Sequence, residues 1–385
     1  MKTPQFLVFL FVVLSVYSLV NIYIFTRAMQ AIPCASSWRP WFIALFWFVV
    51  SAFVLARILE RYYPCDFTEF VTWIGSFWLG FMLYFFLAVI VIDLARLINH
   101  FFHLFPSVFY TDYQKTKLIT LVIVTGLVTI TVIAGFINAR NPRIKVLNLD
   151  ISKSLPGRHS LKIVMASDIH LGTLIAKRRA EYLVSKINSL KPDIILLAGD
   201  VVDEDIHPVI RRNIGETLSE LKAPFGTFAI TGNHEYIGGV KEAVKYLKEH
   251  GITMLQDTVE LIENKFYLVG REDRDKPRFT GQPRKSLEAL MQGVDLSKPV
   301  ILLDHQPFNL TRAAKVGADL QLSGHTHHGQ LWPFNWITDA IYELSWGYKK
   351  IGQTHFYVSS GFGTWGPPLR LGNIPEIVEI NLRFR

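Results

Sequence analysis

The chain has 385 residues, half of them hydrophobic, and its 40 basic and 32 acidic residues give a formal net charge of +8. This length is sufficient for two domains. The basic surplus contains no long block of lysine and arginine, which is the pattern that nucleic-acid binding would favour, so no nucleic-acid partner is expected.

Four long apolar stretches, residues 6–25, 41–59, 71–94 and 118–137, lie in the N-terminal part of the chain. Each supplies about the 20 apolar residues that a hydrocarbon core of ~30 Å requires. The first stretch alone is also compatible with a cleaved signal peptide because Lys2 precedes it, but it is longer than a usual signal and no clear cleavage site follows. We therefore predict an all-α transmembrane domain of about four spans over residues 1–140, with three or five spans as alternatives.

These spans predict a multi-pass protein of the cell membrane, with the lipid bilayer as a partner. Six basic residues flank the predicted spans on one side and five on the other. The positive-inside rule does not decide between such similar numbers, so the membrane side of the second half is left open. Cys34 and Cys65 fall in predicted loops on opposite sides, so a disulfide between them is not expected.

Residues 141–160 are predicted to be a linker, and residues 161–385 an α/β domain in which apolar strands alternate with amphipathic helices. The closely spaced strands near the end of the chain suggest a more antiparallel second half. The predicted strands are 161–166, 194–198, 227–231, 266–269, 300–303, 320–322, 356–359 and 377–381, and the predicted helices are 176–189, 209–221, 240–250 and 285–291.

Five of these strands end in polar residues. In α/β sheets, the loops beyond the carboxyl ends of strands present side chains to ligands. The side chains at these positions are carboxylates, an amide and imidazoles, a set that suits Mn, Fe or Zn, and thiolates are absent. They are Asp168 and His170; Asp200; Asn233, His234 and Glu235; Asp304 and His305; and His325, His327 and His328.

Two pairs, Asp168 with His170 and His325 with His327, are spaced by two residues, so on extended backbone both members of a pair point to one side. Taken singly, an Asp after a strand is usually a helix cap or a turn residue. The joint occurrence of seven candidate ligands at five strand ends overturns that interpretation. Seven ligands exceed the need of one ion and fit two ions that share a carboxylate.

Five sequence segments together resemble the calcineurin-like metallophosphoesterase superfamily: Asp168-Ile169-His170, Gly199-Asp200, Gly232-Asn233-His234-Glu235, His305 and Gly324-His325-Thr326-His327. The similarity covers about residues 161–382. The flanking segments LSGHTHHGQ, DHQP and GFGTWGPPLRLGNIPEI look most like the membrane-associated, YkuE/YaeI-like branch of that superfamily. The resemblance implies a four-layer αββα sandwich.

The resemblance also implies two divalent ions, and it divides the candidate ligands between them: Asp168, His170 and His327 for the first ion, Asn233, His305 and His325 for the second, and Asp200 as the bridge. His234 would lie near the scissile phosphate, where it would stabilise charge or protonate the leaving oxygen. Two ions roughly 3.5–4 Å apart clamp phosphate oxygens and lower the pKa of a bridging water. The nucleophile implied is therefore a metal-bridging hydroxide.

Several residues keep two interpretations. His328 is either an extra substrate contact or a surface histidine, and Arg370 is either a phosphate contact or a plain surface residue. Asp304 is a weak candidate for orienting His305, because ligating imidazoles usually donate to a carboxylate or a carbonyl but neighbours on a strand point apart. The aromatic stretch 331–348 either packs between sheet and loops, or lines a pocket for an acyl chain, or touches the bilayer interface.

The predicted function is a membrane-anchored, dimetal-dependent phosphohydrolase, with phosphodiesters favoured over monoesters as substrates. A lipid-linked or membrane-adjacent phosphate ester is a reasonable hypothesis, because the spans tether the domain to the bilayer. One alternative is a pyrophosphatase that cleaves a nucleotide-linked lipid precursor. Another is a non-catalytic membrane receptor or transport component, against which the complete ligand set argues.

Overall fold

The computed structural model describes residues 3–385, so Lys2, which motivated the signal-peptide alternative, lies outside the described residues. The chain forms two compact units, Met1–Ile137 with Gly366–Leu369, and Asn138–Trp365 with Arg370–Arg385. Helices α1 to α5 span Thr3–Ala31, Arg39–Tyr62, Asp66–Phe102, Val108–Thr111 and Tyr113–Ala139. Four of them, all but the short α4, are long and apolar enough to cross a membrane. The predicted all-α N-terminal part with four apolar helices is thus confirmed.

Helices α1, α2 and α3 pack through aromatic rings and a few buried polar contacts. The indole of Trp78 donates to the side-chain oxygen of Asn21 at 2.9 Å, and the hydroxyl of Tyr17 donates to the carbonyl of Val50 at 2.7 Å. A Cβ atom at Gly75 would lie 2.6 Å from the Cα of Phe53, so α2 and α3 approach closely at this glycine. Small residues serve the same purpose between helices in membranes, where van der Waals packing replaces the hydrophobic effect.

The second unit contains two six-stranded sheets. The first sheet has the strand order β1-β12-β2-β3-β4-β5 and the second the order β10-β11-β9-β8-β7-β6. Strands β1 to β12 are Arg143–Ile151, Ser160–Ala166, Ile194–Ala198, Thr227–Ile230, Thr253–Leu255, Thr258–Ile262, Phe266–Gly270, Val300–Leu303, Leu320–Ser323, Gly347–Ile351, Thr354–Val358 and Glu376–Phe384.

Helices α6 to α14 of this unit connect or cover the strands. They are Lys177–Ser189, His207–Arg211, Ile214–Ser219, Asn233–Gly238, Val240–Glu249, Lys276–Thr280, Leu287–Met291, Leu310–Lys315 and Phe334–Ile341, and a 3₁₀ turn spans His327–Gly329.

The alternation of side chains along β2 shows how the layers form. Leu161, Ile163 and Met165 point into a core shared with the second sheet, whereas Val164 and Ala166 pack under the helices that cover the first sheet. A third cluster lies between the outer face of the second sheet and helices α12 and α13. The resulting order is helix, sheet, sheet, helix, which confirms the predicted four-layer sandwich.

Two expectations differ from the structure. The predicted linker 141–160 contains β1, an edge strand that pairs in parallel with β12 along its whole length. The predicted antiparallel second half is wrong for the centre of the second sheet, where β7, β8, β9 and β11 run parallel. Only its outer pairs, β6 with β7 and β10 with β11, are antiparallel.

A buried side chain on β1 tests whether this segment is structural. Ile151 is 2% exposed. Ile151→Ala should therefore lower the free energy of unfolding by about 2–4 kcal/mol, as loss of buried methyl groups does. Thermal unfolding of the full chain in detergent measures the change.

The matched control is Val146→Ala on the same strand, where Val146 is 49% exposed. Substitutions at such exposed positions usually change the free energy of unfolding by less than about 0.5 kcal/mol. An equally small change in the free energy of unfolding for the two substitutions would show that the packing of β1 does not stabilise the sheet.

Candidate metal centre

Five strands of the two sheets deliver the predicted site residues to one place. Strands β2, β3 and β4 are parallel neighbours in the first sheet, and β8 and β9 are parallel neighbours in the second. The carboxyl ends of parallel neighbours lie at the same edge of a sheet, where loops present their side chains. The predicted ligands follow these five strands within a few residues.

Asp168, His170 and His327 form a first group whose ligand atoms all lie within 4.8 Å of one another. The Nε2 atoms of His170 and His327 are 3.0 Å apart, and Nε2 of His327 is 3.6 Å from Oδ1 of Asp168. Two ligands that each bind a zinc ion at about 2.0–2.1 Å stand roughly 3 Å apart. Nδ1 of His170 faces Oδ1 of Asp203 at 3.5 Å, which leaves Nε2 for the group, and Oδ2 of Asp168 is buried without a hydrogen-bond partner. The orphaned carboxylate oxygen and these distances fit a bound cation.

Asp200, His305 and His325 form a second group with the same spacing limit. Nδ1 of His305 donates to the carbonyl of Ala198 at 2.8 Å, which leaves Nε2 facing Oδ2 of Asp200 at 3.1 Å. This is the usual arrangement of a ligating histidine, whose other nitrogen is held by a backbone carbonyl. Nδ1 of His325 lies 2.8 Å from Oδ1 of Asn233, so the amide oxygen joins this group.

Asp200 stands between the two groups. Its Oδ2 lies 3.1 Å from Nε2 of His305 in the second group and 4.0 Å from Nε2 of His170 in the first. Its other oxygen accepts a hydrogen bond from the backbone N–H of His234 at 2.8 Å. The seven predicted ligands are therefore brought together with Asp200 at the shared position, and their roles in metal binding stay a prediction.

The backbone at the site differs from the extended geometry that the two-residue spacing assumed. Asp168, His170 and Asp200 have φ between 49° and 52°, and His325 and His327 have φ of 73° and 46°. Left-handed backbone is uncommon outside glycine and costs roughly 1–2 kcal/mol per residue. Such residues cluster at functional sites, where the surrounding structure holds them in place. The side chains converge through these turns, so the argument from strand alternation was wrong.

Glycines allow the ligand loops to touch. Gly199 has φ of +89°, and a Cβ atom there would lie 2.5 Å from Nδ1 of His305. Gly324 has an ordinary φ, but a Cβ at this position would collide with the carboxylate of Asp168. Gly199 is therefore required both by the left-handed backbone of the turn and by the close approach of His305. Gly324 is required only by the close approach of Asp168.

The fully buried carboxylate of Glu235 ties two ligand loops together. It accepts hydrogen bonds from the backbone N–H groups of Gly232 at 2.7 Å, Val202 at 2.9 Å and Asp200 at 3.1 Å. Burial, followed by repulsion from Asp200, raises the pKa of Glu235 to about 7. This side chain fixes the loop after β3 against the loop after β4, and hence Asp200 against Asn233.

The imidazoles of His325 and His327 are held in the neutral form that binds metal ions. Burial, followed by repulsion from His305, lowers the pKa of His325 to about 3. Burial and the adjacent positive charge of Arg370 hold the pKa of His327 well below its usual range. Both rings therefore offer a nitrogen lone pair at neutral pH without a proton first being removed.

His234 is held by an aspartate that the sequence interpretation did not select. Nδ1 of His234 lies 3.0 Å from Oδ1 of Asp203, the last residue of the segment GDVVD. Burial alone would lower the pKa of His234, but the charges of Asp200, Asp203 and Glu204 outweigh it and raise the pKa to about 9. Asp203 lies three residues after Asp200, and this spacing is the feature of the sequence that could have identified Asp203 as a site residue.

The structure also shows the contacts of the residues that kept two interpretations. Asp304 pairs with Arg271 at 2.6 Å and Arg284 at 2.8 Å, so it does not orient His305. His328 is half-buried, and its ring stacks on that of Trp346 at 5.2 Å. This histidine is neither a plain surface residue nor among the clustered ligand candidates.

Arg370 does not fit either prediction made for it. Its side chain is fully buried, so it is not a surface residue and is not positioned to meet a substrate. It donates to the carbonyls of Ser360 and Gly363 at 2.6 Å each and to Nδ1 of His327 at 3.0 Å. The guanidinium thereby fixes the loop after β11 and the ring of a candidate ligand. Arg370 is a positioning residue.

Comparison with known proteins identifies the family of this chain. Residues 161–329 match the family model described as calcineurin-like phosphoesterase. An uncharacterized metallophosphoesterase of Campylobacter jejuni is 28% identical over 98% of this chain and 99% of its own length. The uncharacterized metallophosphoesterase YkuE of Bacillus subtilis is 31% identical over 59% of this chain and 80% of its own length. A transmembrane protein with metallophosphoesterase domain from Bos taurus is 31% identical over 66% of this chain and 60% of its own length.

The resemblance to this family, including its YkuE-like members, is thus confirmed. Members normally bind a dinuclear metal centre, and the two ligand groups described above are candidates for it. The four apolar helices and the transmembrane relative point to a membrane protein. The phosphoesterase family and the relatives named metallophosphoesterase support a phosphoric ester hydrolase over the non-catalytic alternative. This chain belongs to the calcineurin-like metallophosphoesterases.

Proposed function

We propose that the protein is a membrane-anchored, dimetal-dependent phosphodiesterase that acts on a lipid-linked or membrane-adjacent ester. The observation that carries this proposal is the placement of Asp200 between two groups of imidazole and oxygen donors. A single ion cannot use all of these donors, whereas two ions that share a carboxylate can.

Asp168, His170 and His327 would hold one ion, and Asn233, His305 and His325 the other, with Asp200 between them. Oxygen and imidazole donors of this kind suit Mn, Fe or Zn. When bound, such ions supply a water of lowered pKa and neutralise charge on the phosphate oxygens. The fully buried positions of Asp168 and His305 give the ions a rigid, largely dry setting.

His234 would handle the proton of the leaving group. Its Nδ1 is committed to Asp203, so Nε2 is the atom that can donate a hydrogen bond or a proton to the leaving oxygen. The carboxylates around it keep the imidazole protonated near neutral pH, as a general acid requires. The ring of Trp365 lies against His234 at 5.8 Å and limits its movement.

The surroundings favour a singly charged diester over a dianionic monoester. The guanidinium that touches a candidate ligand, that of Arg370, is buried and donates to backbone carbonyls. A diester carries one negative charge, whereas a monoester carries two. A diester therefore needs fewer cationic side chains to neutralise its charge.

Exposed aromatic and aliphatic residues beside the site favour a substrate with an apolar part. Tyr342 lies 6.0 Å from the ring of His325, and Trp365, which contacts His234, is half-exposed. Helix α14 precedes Tyr342, and its Phe334, Ile337 and Ile341 lie on one face at helical spacing. All three are at least 40% exposed, so the predicted packing between sheet and loops is wrong for them. An exposed amphipathic face of this kind is typical of contact with a membrane interface.

Metal removal and restoration test the catalytic proposal. The metal-free full-length protein should not hydrolyse bis-p-nitrophenyl phosphate, and Mn, Fe, Zn and Mg are then restored one at a time. Asp200→Asn and His325→Ala should each lower the restored rate at least about a hundredfold, since even partners of metal ligands cost 10–100-fold. Metal content is measured alongside. Persistent hydrolysis in both variants would place the chemistry elsewhere.

Substitution of Asp203 tests the role of His234. With metal supplied in excess, Asp203→Asn should lower the turnover rate about 10–100-fold. Because the carboxylate helps to raise the pKa of His234, its loss should also move the high-pH decline of activity to lower pH. Asp205→Asn, at an exposed residue that pairs with His207, is the control. A rate loss with an unchanged pH profile would indicate a purely structural role.

Substitution on α14 tests the preference for lipid-linked substrates. Ile337→Glu should reduce hydrolysis of a phosphatidyl ester in vesicles about tenfold, by removing apolar contact with the bilayer. Hydrolysis of soluble bis-p-nitrophenyl phosphate should be unchanged. The control is Leu261→Glu on the edge strand β6, where Leu261 is 40% exposed, compared with 54% for Ile337. An equal loss of rate on both substrates, or in both variants, would count against the lipid assignment. Faster cleavage of a nucleotide-linked lipid pyrophosphate than of the phosphatidyl ester would favour the pyrophosphatase alternative.

A further inference from the structure

The membrane-spanning unit contains a large cavity that the catalytic proposal does not use. It has a volume of about 1020 Å³ and lies among α1, α2, α3, α5 and the segment between α3 and α5. Pockets for small molecules usually have about 300–1,000 Å³. The space is therefore large enough for a whole hydrophobic ligand.

The lining changes from apolar to charged along the length of the cavity. Trp78 and Phe81 lie toward one end, and Arg27, Asp93, Arg96 and Lys117 lie toward the other, together with Tyr110 and Tyr113. Phe81 and Arg96 lie fifteen residues apart on α3, which corresponds to about 22 Å of helix. A ligand that fills the cavity must therefore be long and apolar at one end and polar at the other.

The charged end lies at the depth of lipid head groups. Helix α3 has 37 residues and begins at Asp66. Asp93 follows after 27 residues, or about 40 Å of helix, which exceeds a hydrocarbon core of ~30 Å. Arg27 near the end of α1 and Lys117 near the start of α5 lie at the same end of the bundle. The opposite end is therefore at the depth of the acyl chains.

The charges at this end do not balance. Asp93 is the one acidic residue among the described residues that line the cavity, against the basic side chains of Arg27, Arg96 and Lys117. Both of its oxygens are engaged, one with Arg27 at 2.6 Å and the other with Arg96 at 3.3 Å. The hydroxyl of Tyr23 also donates to it at 2.5 Å. Two positive charges are left in excess, and Nε of Arg27 is buried without a hydrogen-bond partner.

We propose that this cavity binds one phospholipid with an anionic head group. The head group pairs with Arg27, Arg96 and Lys117, whose excess charge it neutralises, and an acyl chain lies along Trp78 and Phe81. The side chains of Arg27 and Arg96 are 35% and 47% exposed, so both are accessible to a head group. Basic pockets between membrane helices are suited to anionic head groups in this way. The site is separate from the candidate metal centre and does not rest on the proposed function.

The test compares two lipids with the same chains and different charge. Dioleoyl phosphatidylglycerol and dioleoyl phosphatidylcholine are titrated separately into the full-length protein in detergent with EDTA, and bound lipid is counted by native mass spectrometry. Phosphatidylglycerol should bind at least about fivefold more tightly, since two partly exposed ion pairs contribute to its binding. Equal affinity for the two lipids would overturn head-group recognition. Inorganic phosphate that competes as well as the lipid would show a plain anion site and overturn the lipid assignment.

Variants locate the site. Arg96→Gln and Lys117→Gln should each reduce the preference for phosphatidylglycerol to within about twofold. Arg57→Gln is the matched control, because Arg57 pairs with Glu60 and does not line the cavity. Thr125→Trp places a large side chain in the cavity from an exposed position on α5, and it should weaken binding of both lipids without lowering the melting temperature. Unchanged binding in Thr125→Trp, or retained preference in both glutamine variants, would overturn the proposal.

Discussion

The burial of several ionisable groups in one small space is the constraint on which the catalytic unit depends. Asp168, Asp200 and His305 are almost completely buried, and taking a charge out of water costs several kcal/mol unless partners replace the lost solvation. The protein supplies some partners itself, because the backbone N–H groups of His325 and His234 donate to the two carboxylates. Oδ2 of Asp168 keeps no partner. Divalent cations would complete this arrangement, so the same ions would serve stability and chemistry.

Holding these groups together requires unusual backbone and a second layer of contacts. Five of the seven candidate ligands have left-handed backbone, which is unfavourable by itself, so the structure around them must compensate. Glu235 and Arg370 do so, the first by accepting from three backbone amides and the second by donating to the carbonyls of Ser360 and Gly363. Neither is a candidate ligand. Their effect is to give the ligand loops a single conformation.

The sequence predicted the location and the residue types of the site, but not its geometry. Polar residues after parallel strands can be recognised locally, because the strands are short apolar runs and the residues follow them directly. Alternation along a strand applies only while the strand continues, and β2 ends at Ala166, before Asp168 and His170. The role of Asp203 depends on the position of His234 in another loop. Strand β1 was mistaken for a linker because its partner, β12, lies at the other end of the chain.

The order of strands in the first sheet also constrains biosynthesis. Strand β12, from the last residues of the chain, lies between β1 and β2 and forms the ladders that join them. Until β12 has left the ribosome, β1 therefore has no neighbour to pair with, and the adjoining edge of β2 stays open. An unpaired edge is a ready template for association with other chains. The newly made protein thus carries two exposed strand edges until β12 is available, and a chain that stops short of Glu376 would keep them permanently.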